Sequence, residues 1–354
     1  MCLSPLFRYP APVPEILPFA WLKQRVHNNG VILKRFEVDS LPEKYREVVQ
    51  RVPCGCCVEC RLARSREWAL RIMLEEKYCP GASWFVTLTY DDDHLPELSP
   101  RVCSDTGVVI WQHALMPDHL TLFLKRLRSR LVDRGLQRYY VLDLGGEKYQ
   151  IGLRYFACGE FGEKSLRPHY HLCLLNCDLP DVVSFGRSKT GELQWFSQLV
   201  QDCWKAPDGS FYGRTALGKV TAQSAAYVAR YIMKKQLGKS RREDRLAERQ
   251  AFGESFVDEF VRCSRRPGLG RAYFEEHKQD IYRTDTIYCR LSESISAMKP
   301  PRYYDSLFDL DQPDFLAGIK EDRISDAKAI QASRVIQTDL SDEQYLANKA
   351  LRRV

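Results

Sequence analysis

Apolar and polar residues alternate along the chain in patterns that predict both strands and helices. Residues 83–90 are β-branched and aromatic throughout, which is typical of a strand, and an acidic turn follows at 91–94. Apolar residues at helical spacing predict three helices, at about 65–78, 117–133 and 221–235. The mixture predicts a protein in which helices pack on a sheet.

Two further strands are predicted on either side of a short loop that contains glycine. The first covers residues 151–160, and the second begins at Pro168, where a strand does not need the missing N–H. A loop this short predicts an antiparallel pair. Alternate side chains of a strand share a face, so His169 and His171 project together while Tyr170 lies on the other face.

Two imidazoles on one face are typical of a metal site, although histidines satisfied by their neighbours explain the pair alone equally well. Glu160 falls near the end of the neighbouring strand, where its carboxylate could complete the site. Glu163 is an alternative third ligand, and Asp91 or Asp92 of the acidic turn could also approach. This ligand set, with positions left open, suits a divalent ion that acts as a Lewis acid on a phosphate. Mg²⁺ or Mn²⁺ is the expected ion, and zinc stays open.

The helix at 221–235 offers nucleophiles for such a phosphate. Tyr227 and Tyr231 are four residues apart and therefore neighbours on one helix face, and Lys234 follows about one turn later. A phenol becomes a useful nucleophile when a nearby metal ion or lysine lowers its pKa. Taken alone, the two tyrosines fit a core-facing stripe as well.

Composition describes an ordinary globular protein with a moderately basic balance. The 354 residues are 44% hydrophobic and carry a formal charge of +7, which favours a polyanionic partner. Thirteen cysteines, an odd number in a long chain, argue against a disulfide framework and for a reducing compartment. No signal segment or long apolar run is present, so we expect a cytoplasmic protein without a membrane partner.

The densest cysteine cluster could hold a structural zinc ion. Cys54, Cys57 and Cys60 form a C-x2-C-x2-C pattern, and zinc prefers four ligands, so Cys2 could complete the site if the N-terminus folds back. Reduced cysteines that pack near Trp68 are the main alternative, and an iron–sulfur cluster is a further one.

Several of these segments together carry a family resemblance. His169-Tyr170-His171 resembles the HUH motif of rolling-circle replication endonucleases, and residues 227–234 resemble the two-tyrosine helix of microvirus replication initiators. The order of segments is similar to that of the replication initiation proteins of gokushoviruses, which are small single-stranded DNA phages. The resemblance covers roughly residues 52–275 and is carried by segments 54–61, 87–96, 159–163, 167–171 and 264–268.

The resemblance implies an α+β fold, the RRM-like palm of HUH endonucleases. We therefore expect a central antiparallel sheet of about five strands with helices packed on it, the histidines on a central strand and the tyrosine helix across its face. The expected organisation is an N-terminal arm with the cysteine cluster and a helix at 1–80, the endonuclease domain at 81–240, and a basic helical region at 241–354. From about residue 295 we expect a loosely attached tail.

The activity implied by the resemblance is a nick in single-stranded viral origin DNA. One tyrosine attacks and stays joined to the 5′ phosphate, which leaves a 3′-OH for the host polymerase; the second attacks after one round, so that ends are rejoined and circular genomes are released. Such a protein works in the host bacterial cytoplasm, where a host helicase is a further expected partner. The alternative is a non-catalytic basic DNA- or RNA-binding protein whose histidines are structural and whose tyrosines stack on bases.

Overall fold

The fold is described by a computed structural model. It describes residues 6–9, 31–33, 35–53, 57–103, 106–162, 165–188, 191–234, 239–290 and 295–333. The chain divides into two compact units, residues 1–63 with 312–354, and residues 64–311. This division differs from the boundaries at 80 and 240 that the sequence predicted. Within the described part of the chain, no helix combines the length and the apolar character needed to cross a bilayer.

The described strands are β1 (Leu6–Tyr9), β2 (Val31–Leu33), β3 (Gln50–Val52), β4 (Trp84–Thr89), β5 (Leu98–Val102), β6 (Val109–His113), β7 (Tyr140–Leu144), β8 (Glu147–Ile151), β9 (Arg154–Phe161), β10 (Pro168–Leu175), β11 (Val183–Arg187), β12 (Leu193–Phe196), β13 (Thr215–Lys219), β14 (Phe260–Cys263), β15 (Ile287–Arg290) and β16 (Ile295–Met298).

The described helices are α1 (Arg35–Asp39), α2 (Glu43–Arg46), α3 (Val58–Glu76), α4 (Pro117–Asp133), α5 (Gln198–Gln201), α6 (Ala222–Lys234), α7 (Lys239–Phe252), α8 (Arg271–Thr284), α9 (Arg302–Asp311) and α10 (Pro313–Ser333). The helix predicted at 117–133 has these bounds in the structure, with a proline in its first turn.

The first unit contains a small three-stranded antiparallel sheet in the order β2-β1-β3. Its strands and the helix α1 bury a compact apolar cluster. The buried members are Tyr9, Val31, Leu33, Val38 and Leu41. The sequence predicted no element in this region, because its short strands lie between segments rich in proline.

The second unit is built on a seven-stranded sheet in the order β11-β12-β13-β4-β10-β9-β14, with every neighbouring pair antiparallel. The expected α+β architecture with a large antiparallel sheet is confirmed. The sheet is wider than the five strands predicted, because β11 and β12 lie in a stretch that the sequence predicted as loop-rich. The strand β14 adds the opposite edge, just beyond a segment predicted to be helical.

The strand β10 lies inside this sheet, paired with β4 on one side and β9 on the other. Pro168 is its first residue, as predicted. The loop that joins β9 to β10 is short, and the two strands form the predicted antiparallel pair. The histidine pair is thus held by hydrogen-bonded ladders on both sides.

Helices cover both faces of the sheet. On one face, Tyr170, Leu172 and Leu174 of β10 belong to the same buried cluster as the apolar stripe of α4. That stripe consists of the predicted residues Leu120, Phe123, Leu124, Leu127 and Leu131. On the other face, α3 and α6 cover the sheet; the buried residues there are Ala69, Ile72, Phe156, Cys158, Cys173, Leu175, Ala225, Val228 and Leu269.

The C-terminal part of the second unit is more firmly packed than the sequence predicted. The ring of Phe308 on α9 stacks on Tyr282 with centroids 3.8 Å apart. The hydroxyl of the buried Tyr304 donates to the carbonyl of Gly270 at 2.6 Å. The expectation of a loosely attached tail from residue 295 is therefore wrong for α9, because its aromatic residues at helical spacing are buried.

Candidate metal centre

Both histidines of β10 converge on one carboxylate. The Nε2 atom of His169 lies 2.6 Å from Oε1 of Glu160, and the Nε2 atom of His171 lies 3.1 Å from the same oxygen. One ligand atom from each of the three residues lies within 4.8 Å of the others, and this is the group of metal-ligating side chains found among the described residues.

Strand register explains the convergence. Glu160 on β9 stands directly opposite His169, and Cys158 stands opposite His171. Residues directly opposite in an antiparallel pair project to the same face, and diagonal neighbours are within reach of long side chains. Glu160 therefore meets one histidine straight across the ladder and the other on the diagonal. The structure brings this predicted carboxylate to the two histidines.

The outer ring nitrogens have their own partners. The Nδ1 atom of His169 lies 3.2 Å from the carbonyl oxygen of Arg167, and the Nδ1 atom of His171 lies 3.0 Å from Oγ1 of Thr87. A carbonyl oxygen only accepts, so Nδ1 of His169 carries the proton and leaves its Nε2 lone pair for a metal ion. The ring of Phe85 stacks on His171 at 5.4 Å.

These supporting groups were not predicted from the sequence. Thr87 and Phe85 lie on the predicted strand at 83–90, and their alternation places them on one face. The missing information was that this strand pairs with the histidine strand, which depends on residues more than eighty positions away.

Burial and hydrogen bonding act in opposite directions on the carboxylate. Burial raises the pKa of Glu160, which is 2% exposed, but the hydrogen bonds from His169 and His171 outweigh it and hold the pKa below its ordinary value. The group is therefore an anion at neutral pH. Two imidazole nitrogens beside a buried carboxylate fit a divalent metal ion by their donor chemistry.

The alternative third ligands have other places in the structure. Asp91 accepts from the backbone N–H of His94 at 3.0 Å and lies 2.7 Å from its Nδ1. Asp92 forms an ion pair with Arg167. Glu163 lies outside the described residues.

The tyrosine helix lies on the histidine face. Helix α6 contacts β9 and β10, and the half-buried ring of Tyr227 meets His171 edge-on with centroids 5.4 Å apart. Tyr231 and Lys234 belong to the same helix, and their side chains lie outside the described part of the chain.

The tyrosine between the two histidines has a different environment. Tyr170 is completely buried on the opposite face of β10. Burial raises its pKa to about 12, so its phenol stays protonated at neutral pH. Of the two tyrosine side chains described near the histidines, Tyr227 is the one that shares their face.

The cysteine cluster is described only in part. Cys57 immediately precedes α3 and Cys60 lies in its first turn, and both are partly buried. Cys2 and Cys54 lie outside the described residues, so the zinc site stays a prediction.

Comparison with known proteins adds a family to this geometry. Residues 83–236 match the family model of the replication-associated protein ORF2. The replication-associated protein ORF2 of Spiroplasma virus 4 is 35% identical over 86% of this chain and 84% of its own length. The replication-associated protein VP4 of Bdellovibrio phage phiMH2K is 31% identical over 74% of this chain and 69% of its own length.

A third relative, the replication-associated protein ORF4 of Chlamydia phage 1, is 27% identical over 71% of this chain and 58% of its own length. No solved structure matches the chain. The matched residues include the sheet strands β4, β9 and β10, the histidine pair and the tyrosine helix. The chain belongs to the replication-associated proteins of the microviruses and is a replication initiator of that family.

Proposed function

We propose that this replication initiator nicks single-stranded phage origin DNA by tyrosine attack and later rejoins the ends. His169, His171 and Glu160 hold Mn²⁺ or Mg²⁺, and Tyr227 and Tyr231 are the nucleophiles. The observation that carries the proposal is the convergence of two Nε2 atoms on one buried carboxylate oxygen, with the ring of Tyr227 packed 5.4 Å from His171 on the same face.

The arrangement of elements supports an HUH-type endonuclease. The histidines stand on an interior strand of a large antiparallel sheet, and the tyrosine helix contacts that strand and its neighbour. Tyr227 and Tyr231 are one helical turn apart, so both phenols can serve one phosphate without a large movement of the helix.

A metal ion at this site supplies Lewis-acid stabilisation of the phosphate charge. The phenol oxygen of one tyrosine attacks the phosphorus and gives up its proton, and an O–P bond forms. The bond from phosphorus to the 3′ oxygen breaks, and that oxygen takes a proton and leaves as a 3′-OH. Lys234, about one turn beyond Tyr231, favours the phenolate by its positive charge.

The product is a 5′-phosphotyrosine bond, which retains the energy of the broken phosphodiester. A free 3′-OH can therefore reverse the step and rejoin the strand without another energy source. The host polymerase extends the 3′-OH, a host helicase opens the duplex ahead of it, and the second tyrosine releases a circular genome after one round. We place this cycle in the host bacterial cytoplasm.

A covalent adduct tests the proposal. Labelled single-stranded fragments that tile the phage genome encoding the chain are incubated with the full-length protein and Mn²⁺, then denatured. We expect one fragment to give a protein–DNA band that survives denaturation. Tyr227→Phe and Tyr231→Phe each keep some cleavage but lose turnover, and the double variant loses the adduct. Tyr288→Phe, at an exposed strand position, is the matched control and keeps it.

Two outcomes contradict the proposal. An adduct that survives in the double tyrosine variant overturns the choice of nucleophiles. If the unaltered protein binds DNA but forms no adduct, it is a non-catalytic nucleic-acid-binding protein. His169→Ala separates the two functions, because it should lose cleavage and keep DNA binding, whereas His277→Ala on α8 should keep both.

A further inference from the structure

A row of residues crosses four neighbouring strands at the histidine end of the sheet. Glu160 stands opposite His169, and His169 stands opposite Thr89. The ladder between β4 and β13 has Thr215 opposite Leu88. It continues one residue further, because the backbone N–H of Thr89 donates to the carbonyl of the next residue back, Arg214, at 3.1 Å. The row therefore reads Arg214, Thr89, His169, Glu160.

Alternation along β13 shows which face Arg214 occupies. Its neighbour Thr215 is buried, and the Thr215 hydroxyl donates to Oε1 of Gln201 at 2.9 Å. Leu217, two residues on, lies in the buried cluster opposite the histidines. Because successive residues of a strand project to opposite faces, Arg214 lies on the histidine face, where its side chain is exposed.

The backbone of Arg214 is held in place by the histidine row. Its carbonyl accepts from both the backbone N–H and the hydroxyl of Thr89, at 3.1 and 3.0 Å. Neighbouring strands are about 4.8 Å apart, which places the Cα atoms of Arg214 and His169 about 10 Å apart. A phosphate held beside His169 is then within reach of the long arginine side chain.

Charge distinguishes Arg214 from the other arginine at this edge. Arg167 forms an ion pair with Asp92 and donates to the carbonyl of Tyr90 at 3.0 Å. Arg214 forms no ion pair with any residue in the described part of the chain. An exposed cation that is fixed by its backbone and not neutralised by a carboxylate is suited to bind an anion.

We infer that Arg214 binds the non-bridging oxygens of the phosphate that the tyrosine attacks, an inference that rests on the proposed function. A guanidinium group presents parallel N–H donors to two phosphate oxygens. As the O–P bond forms and the P–O3′ bond breaks, Arg214 stabilises the charge on those oxygens and on the leaving 3′ oxygen. It is a substrate-binding residue that transfers no proton.

The test measures single-turnover cleavage of the mapped origin strand at saturating DNA and Mn²⁺. Arg214→Gln should lower the rate on the order of 100-fold, as expected when one donor to a developing charge is removed. Its affinity for DNA should change by less than about threefold, because the interaction acts mainly in the transition state. Arg214→Lys should recover part of the rate. Arg290→Gln removes an exposed arginine from the strand β15 and should cleave normally.

A neutral substrate sharpens the result. When the scissile phosphate is replaced by a methylphosphonate, Arg214→Gln and the unaltered protein should cleave at rates within about threefold of each other, because the charge that Arg214 binds is gone. An undiminished defect on this substrate, a loss of affinity alone, or a normal rate for Arg214→Gln on ordinary DNA overturns the inference. If the unaltered protein forms no adduct, the proposed function fails with it; if only the Arg214 results fail, the proposed function stands.

Discussion

The two faces of the strand β10 serve different purposes although they alternate residue by residue. On one face, His169 and His171 gather around a buried carboxylate and leave their ring nitrogens available for a metal ion. On the other, Tyr170 is completely buried, and its hydroxyl both accepts from the backbone N–H of Met116 at 2.9 Å and donates to the Met116 carbonyl at 3.0 Å.

The contrast shows how a polar site is kept in place. Tyr170 also lies 3.0 Å, oxygen to oxygen, from the hydroxyl of Tyr90, and packs edge-on against its ring. Those contacts fix β10 relative to β4 and to the start of α4, which anchors the strand from behind. The histidine face contributes little apolar burial and can therefore be altered for chemistry with small effects on folding.

Removal of the anchor should give the largest change in stability. Tyr170→Ala should lower the free energy of unfolding by about 3–5 kcal/mol, because it leaves a cavity and orphans the Met116 N–H. Urea denaturation followed by fluorescence measures this. Tyr288→Ala, at a position 62% exposed, should cost less than about 0.5 kcal/mol. Equal losses for the two variants would contradict the assignment of Tyr170 to the core.

Metal binding should give the next largest effect, and it should depend on the other face. Mn²⁺ at 100 times its dissociation constant should raise the free energy of unfolding by about 2.7 kcal/mol, since the ion binds the folded state. His171→Ala should fold but lose this stabilisation, whereas His277→Ala should retain it. The readout is the unfolding temperature with Mn²⁺ and again after a chelator is added.

A stabilisation by Mn²⁺ that is unchanged in His171→Ala would place the ion elsewhere in the chain. Tyr170→Phe provides a second comparison, because it keeps the histidine face and removes only a hydroxyl from the opposite one. Its metal-dependent gain in unfolding free energy should equal that of the unaltered protein even though its baseline stability is lower.

Local patterns predicted much of the site. The helix at 117–133 and the strand that begins at Pro168 could be identified from spacing alone, and strand alternation placed His169 and His171 on one face. Glu160 was a plausible third ligand because a short loop forces β9 and β10 to pair. These features depend on residues close together in the sequence.

Features that depend on distant pairing were not predictable. The ladder between β10 and β4 joins His171 to Thr87 across 84 positions, and nothing in either segment specifies that partner. The edge strand β11 is fully exposed, so it lacks the half-buried alternation that identifies a strand. The buried ion pair of Glu75 with Arg154, 2.6 Å between Oε1 and Nε, joins α3 to β9 and had no signal in the sequence.

The smallest effect should come from the hydroxyl that supports His171 from the neighbouring strand. Thr87→Val keeps the shape of the side chain but removes the oxygen that lies 3.0 Å from Nδ1, so the ring loses the partner that sets its orientation and tautomer. We expect Mn²⁺ to bind about tenfold more weakly, the usual loss when a group behind a metal-binding histidine is removed. Thr121→Val on α4 is the matched control, since its hydroxyl donates to Pro117 on the opposite face. The Mn²⁺ concentration that gives half of the thermal stabilisation measures both variants. Equal values would mean that the ladder alone orients His171, and that the anchor on the Tyr170 face is sufficient to hold the site.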